Sequence, residues 1–317
     1  MDELRNVQLD TELIPEGCLS FVEEATYIAT AIDEDFDAMV GDEDNGEEST
    51  NESVILESND FADKIVIWAQ KVWGQIKKLF NDLINWINER VTEFKNKQLE
   101  KKLANVISQK KLKSDAKLGK YHESSSIGDV AWMDVLTPES LFKIDTDQGD
   151  ATELLPKKVS DAVGGKRGKS ATVAEMKEDM KTYFLGKEVE VTGANFNKET
   201  FVKILKGSQK NDVKKAYNKC RAQINGYIKK IKGWKATGEK TKAGDDIYVK
   251  ANENKSGKLK NTLNYLRRCL QLLSTGVGVQ CDCIRTQNRE AMSIVAAASR
   301  KANKKDQLKE SANIFAW

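Results

Sequence analysis

Histidine is almost missing from this chain of 317 residues: His122 is the only one. A metal site built on several imidazoles and a His–His acid/base pair are therefore excluded, and a Ser or Cys triad would have to pass through that single ring. Cysteine is scarce and odd in number, with Cys18, Cys220, Cys269, Cys281 and Cys283 at no repeated spacing. Such spacing defines no disulfide framework and suits a reducing compartment. Cys281-Asp282-Cys283 lacks the second pair or nearby histidine of a zinc site, so it reads as two ordinary helix cysteines, and neither metal nor cofactor is expected. No stretch approaches the roughly 18 consecutive apolar residues of a membrane span. The first 30 residues also lack a basic n-region, so the expectation is a soluble chain without a standard export signal.

Charge is abundant and unevenly placed. The totals, 51 Lys+Arg against 49 Asp+Glu, nearly cancel. Yet Met1 to Glu57 holds 18 acidic residues against Arg5 alone, a net of −17, which leaves +19 on Ser58 to Trp317. A split of this size organises the whole reading.

In the acidic part, residues 1–57, Phe21, Ala25, Ile28, Ala29 and Ile32 keep helical spacing and predict a short amphipathic helix over about 20–39. Residues 41–53 (GDEDNGEESTNES) have almost no apolar side chain and predict a disordered acidic linker. From Asp60, placed as an N-cap, a long apolar stripe runs through Ile65, Trp68, Val72, Ile76, Leu79, Leu83, Trp86, Ile87, Val91 and Phe94. It predicts one basic amphipathic helix occupying most of 58–120. Tryptophan beside lysine on such a stripe fits either a membrane surface or burial against other helices of the same protein. Burial is the reading adopted, and membrane is not an expected partner.

Residues 121–196 read as a mixed linker region with short helices and a strand. Thr137-Pro138-Glu139 is a helix start. Gly164-Gly165-Lys166-Arg167-Gly168-Lys169-Ser170 fails the phosphate-loop spacing, because Val163 stands where the first glycine belongs, and reads as a flexible basic loop. Ala171–Leu185 predicts a helix, and Lys187–Val191 a strand with Glu188 and Glu190 on one face. That Glu-x-Glu pair resembles the one ADP-ribosyltransferases use near the nicotinamide ribose. No Ser-Thr-Ser strand or arginine strand precedes it, so the wet face of an edge strand is preferred and no catalytic residue is assigned.

Residues 197–310 form a basic helical domain. Helical periodicity covers Asn197–Lys206, Asn211–Trp234 and Ser256–Lys304, and the last two suggest an antiparallel hairpin. Lys235–Lys255 connects them, with room for a β-hairpin at Ile247-Tyr248-Val249. Gly276 and Gly278 are expected to bend or break the final helix. The fold class predicted is mainly α: long amphipathic helices in a bundle, with a short strand or hairpin and the disordered linker. Lys203 to Arg268 holds 19 basic and 5 acidic residues. Lysine dominates, which favours phosphate contacts over base readout. Nonspecific DNA binding is assigned to Lys214, Lys215, Lys219, Arg221, Lys229, Lys230, Lys232, Lys235, Arg267 and Arg268.

At the acidic-to-basic border stands Ile55-Leu56-Glu57-Ser58, and near the C-terminus Leu308-Lys309-Glu310-Ser311. Ile14-Pro15-Glu16-Gly17 has the same form. All three resemble sites cut by the prohead proteases of T-even-like tailed bacteriophages: Leu or Ile, any residue, Glu, then a small residue. With the charge split, the chain resembles an internal head protein of such a phage. The resemblance implies a non-enzymatic precursor, cut after Glu57 and Glu310, losing the leader and the uncharged tail 311–317. It also implies packaging with DNA in the head interior after synthesis in the host cytoplasm. The prohead protease and capsid or core proteins are the implied partners. Two rivals remain open: a scaffold or core protein acting by helix self-association, and an ejected effector directed at the host.

Overall fold

The computed structural model describes residues 20–41, 59–108, 112–137, 152–240 and 253–314. Along them run α1 (Phe21–Gly41), α2 (Asn59–Asn96), α3 (Leu99–Ser108), β1 (Lys117–Glu123), a 3-10 helix (Ala131–Leu136), α4 (Leu155–Ala162), α5 (Val173–Leu185), β2 (Lys187–Thr192), α6 (Lys198–Leu205), α7 (Lys210–Lys240) and α8 (Glu253–Ile314). The described chain is mainly helical with one two-stranded antiparallel sheet, as the periodicity predicts.

α8 is the axis on which the other elements are hung. Leu263 to Ile284 belong to a large apolar cluster shared with α1, α2, the 3-10 helix, α4, α5 and α7. Ala291, Ile294, Val295 and Ala298 belong to a second, smaller one with α3, both strands and α6. The helix runs unbroken through Gly276 and Gly278, where a bend was expected. A Cβ on Gly276 would lie 2.4 Å from the Trp132 ring, and one on Gly278 would lie 2.5 Å from Ala25 Cβ and 2.6 Å from the Phe21 carbonyl oxygen. The pair lowers helix propensity by about 2 kcal/mol. What it permits is close approach of two neighbours, whose packing holds the helix straight.

The acidic N-terminal helix is the largest departure from expectation. Phe21, Ala25, Ile28, Ile32 and Phe36 of α1 are all buried, chiefly against α8 and α2. Its start is fixed twice. Ser20 and Glu23 form a capping box, with Glu23 N–H donating to Ser20 Oγ (3.1 Å) and Ser20 N–H to the Glu23 carboxylate (2.7 Å). Asp282 of α8 then accepts from the N–H groups of Phe21 (3.1 Å) and Val22 (3.0 Å), a helix cap supplied from 260 residues away. Further along, Ser274 and Gln271 donate to the carbonyl oxygens of Ala25 and Ala29. The segment predicted as a leader is thus, in its helical part, a piece of the core. The predicted linker 41–53 lies, but for Gly41, outside the described residues.

Four further readings are corrected. The single helix expected within 58–120 is α2, a turn and α3. The turn needs neither Pro nor Gly, because Gln98 takes a left-handed backbone (φ 48°), at roughly 1–2 kcal/mol. Phe94, Leu99 and Leu103 can then all enter the second cluster. The helix begins at Asn59, so Asp60 sits in its first turn and not at a cap. The 121–196 region is no linker: Trp132, Met133, Leu136, Leu155, Met176, Met180 and Phe184 are fully buried. Lastly, α7 lies chiefly along α2 and has only a minor seam with α8, so the two do not form the expected hairpin pair. Thr137 closes the 3-10 helix, while Pro138-Glu139 and the Ile247–Val249 hairpin fall outside the described residues.

The tryptophan stripe of α2 is internal. Trp68, Val72, Ile76, Leu79, Leu83 and Ile87 are all buried in the main cluster. Among the described residues no helix is long and apolar enough to cross a membrane.

Candidate nucleic-acid interface

α7 has two faces with different chemistry. Val213, Ala216, Cys220, Gln223, Ile224, Tyr227 and Ile231 point inward at steps of three and four. Tyr217 packs against Trp73 and Phe80 of α2 at ring distances of 5.2 and 5.7 Å. Gln223 donates to the Met133 carbonyl (3.0 Å), and the Tyr227 hydroxyl to that of Leu136, so the 3-10 helix is bolted to the same inner face. These anchors fix the helix about its own axis.

What they leave facing outward is Lys214, Asn218, Arg221, Asn225, Lys229 and Lys232, all exposed. The steps are four, three, four, four and three, which keep six residues on one stripe. No acidic residue interrupts it. From Lys214 to Lys232 the stripe is about 27 Å long at 1.5 Å per residue. Over that length a DNA duplex presents roughly 16 phosphates, one per 1.7 Å of axis. The four cations supply mobile charge, and the two asparagines supply neutral amide donors between them.

The other six residues assigned from sequence separate from this stripe. Lys215 is exposed at its margin, near Asp129 and Asp212. Asp212 is held above the ordinary carboxylate range by burial, an effect that Lys215 opposes. Lys219 is paired with Asp134, and Lys230 is half-buried and engaged. The side chain of Lys235 lies outside those described. Arg267 and Arg268 are on α8, away from α7. Arg267 pairs with Asp37 (3.1 Å) and Asp33 (3.4 Å) of α1 and covers the Phe36 ring at 4.8 Å. Arg268 donates to Gln271 (3.2 Å), and its burial lowers its pKa. These two arginines therefore face the acidic helix. Asn218 and Asn225 were passed over in the sequence for want of charge; their three-and-four spacing from the lysines was the available signal.

The remaining chemistry-bearing positions are engaged in structure. Glu188 accepts from Lys120 (2.6 Å), which pulls its pKa down, and Glu190 pairs with Lys117 (3.1 Å) across β1 and β2. The wet face of a small sheet is thus what the Glu-x-Glu pair occupies. The His122 ring lies 2.6 Å from the Glu290 carboxylate, whose other oxygen accepts from the His122 backbone N–H (2.9 Å), tying β1 to α8. Arg167 grips Asp179 with two bonds (2.9 and 2.7 Å) and Glu178 with a third (3.0 Å). The Gly-rich segment read as a flexible loop is therefore anchored to α5, and the guanidinium holds the Asp179 carboxyl below its usual range. Cys220, Cys269 and Cys283 are buried thiols pushed up to about 12 by desolvation. Among the described residues no group of three or more His, Cys, Asp or Glu could hold a metal ion.

Of the candidate processing sites, residues 14–17 and 55–58 lie outside the described residues. Residues 308–311 sit in the last turns of α8, three to six residues before the final described backbone position, Ile314. Comparison with known proteins found no matching family model, no matching curated protein and no matching solved structure.

Proposed function

We propose that this chain is an internal head protein of a tailed phage, made as a precursor, cut after Glu57 and Glu310, and packaged with DNA through sequence-independent phosphate contacts. It is a virion component of the head interior and not an enzyme. The observation that carries the DNA contact is the outer stripe of α7: four cations and two amides in line, no acid among them, on a helix whose orientation is fixed by buried anchors. The cut sites and the charge split carry the precursor part.

The rival reading, a scaffold acting by helix self-association, needs an apolar helix face free to pair, and the tryptophan stripe of α2 is the candidate for it. That stripe is occupied by the chain's own core, which favours the polyanion reading over it. Processing also takes on a different consequence from simple removal of a leader. A cut after Glu57 opens the backbone between α1 and α2, while α1 itself is held by buried side chains and by the Asp282 cap.

The test is duplex binding against salt. With four phosphates neutralised, log K should fall against log[salt] with a slope of roughly −3.6. Replacing Lys214, Arg221, Lys229 and Lys232 together by Gln should remove most of that slope. No measurable affinity at low salt, or a slope unchanged in the quadruple variant, rules out the α7 interface. Intact mass of the chain from its native source tests processing independently: no species ending at Glu57 or beginning at Ser58 defeats the precursor part.

A further inference from the structure

The seam between α1 and α8 has the anatomy of a helix seated in a groove. The floor is α8 from Gln271 to Asp282, where Ser274 and Gly278 keep the backbone low enough for Ala25 to approach. α2 forms one wall: Trp68 meets Phe36 at a ring distance of 5.5 Å, Lys71 pairs with Asp35 (2.7 Å) and Lys78 with Glu24 (3.2 Å). Lys177 of α5 reaches Thr26 from another direction. Arg267 binds Asp33 and Asp37 toward the C-terminal end of α1, and Arg285 lies over the Phe21 ring (5.5 Å) at the other. Apolar anchors at residues 21, 25, 28, 32 and 36 follow the spacing by which an amphipathic helix engages a groove. The cations around the groove match the acids on the helix.

Each of these contacts joins α1 to parts of the chain beyond Asn59. None of them needs the backbone of residues 42–58 to be continuous. We infer that the α8 groove is a receptor for an acidic amphipathic helix, that α1 is its occupant, and that severing the chain between α1 and α2 leaves α1 bound as a separate fragment. The inference deepens the reading above, since it rests on the precursor proposal for when a cut occurs in the phage. The groove and its occupant stand without it. The processed protein is then a two-fragment complex in which Arg267 stays covered by α1, so cutting uncovers no cation at that seam and the α7 stripe is exposed both before and after it.

The experiment uses the full chain with a recognition sequence for a site-specific protease placed between Gly46 and Glu47. After complete cutting, size exclusion and native mass spectrometry at roughly 10 µM protein should find both fragments in one species, in 0.15 M and in 1 M NaCl, with a dissociation constant below about 1 µM. Persistence in high salt is expected because buried apolar residues, and not the exposed ion pairs, hold the helix. Release of the N-terminal fragment at 0.15 M overturns the inference. An Ile32→Ala chain should keep its helical content while uncut, because the linker holds α1 at millimolar effective concentration, and lose most of the fragment once cut. Retention in that variant too would place the binding outside the groove and likewise overturn it. Failure of the DNA reading shows separately, as absent duplex binding by the uncut chain, and leaves the retention measurement untouched.

Discussion

α1 and α7 are both amphipathic helices with a strongly charged outer side, and the molecule treats their charges in opposite ways. On α1, Glu24, Asp33, Asp35 and Asp37 each meet a cation of the body. On α7, Lys214, Arg221, Lys229 and Lys232 stand exposed in a row with no ion pair to any described residue. Charge along the sequence is a poor guide to what a surface offers, because an internal partner cancels one helix's charge and leaves the other's. The contrast also distinguishes architecture from recognition. Altering the first seam should change stability, and altering the second should change binding.

The comparison breaks most readily at Ile32, which is fully buried between α1 and the groove. Ile32→Ala should lower unfolding stability by about 3 kcal/mol, read from urea denaturation, with no change in the salt dependence of DNA binding. A loss under about 1 kcal/mol would mean that α1 is not an integral part of the core.

Asp282 gives a smaller effect with a pH signature. Burial raises its carboxyl pKa more than the Phe21 and Val22 N–H bonds lower it. A carboxyl whose folded pKa is raised takes up its proton more readily in the folded state. Its favourable contribution is present below the unfolded value, about pH 4, and is lost as the pH rises through the folded one. Asp282→Ala should cost about 1–2 kcal/mol at pH 7 through loss of the cap. Asp282→Asn should keep an acceptor oxygen and abolish the pH term, so wild type should gain on that variant between pH 7 and pH 4. An equal stability difference at the two pH values contradicts the assignment.

The smallest effects on stability belong to α7, and there they sharpen the contrast. Lys214→Gln is exposed and should move stability by less than about 0.5 kcal/mol while reducing the DNA salt slope by about 0.9. Lys219→Gln, whose charge Asp134 already meets, should reduce the slope less. Equal slopes in the two variants would show that pairing with Asp134 does not remove Lys219 from the interface.

Much of this fold was legible in the sequence because long helices write their buried face in steps of three and four. α2, α5, α6, α7 and the bulk of α8 fall where periodicity places them, and β2 shows through the alternation of Lys187 to Val191. β1 did not show, since Lys117, Gly119, Lys120 and Glu123 leave only Leu118 and Tyr121 to mark a face, and a register shift between Lys117 and Gly119 blurs even that alternation. The turn at Gln98 had no glycine to announce it. Gly276 and Gly278 were visible, but propensity alone cannot tell a helix breaker from a site of close approach; only the presence of Trp132 and Ala25 decides. For the same reason the lysines of α7 could be chosen from composition, whereas the exclusion of Arg267 and Arg268 required knowing that an acidic helix from the other end of the chain lies against them.

The bond from Ser274 to the Ala25 carbonyl joins residues 249 apart. A ribosome adding roughly 5–20 residues per second completes that interval in about 12–50 s. For all of that time α1 has been made and the helix it packs on has not. Until then its apolar side can pack only on elements already made, α2 first among them. The α1–α8 seam thus joins some of the first residues made to some of the last, and it can close only when synthesis is nearly complete.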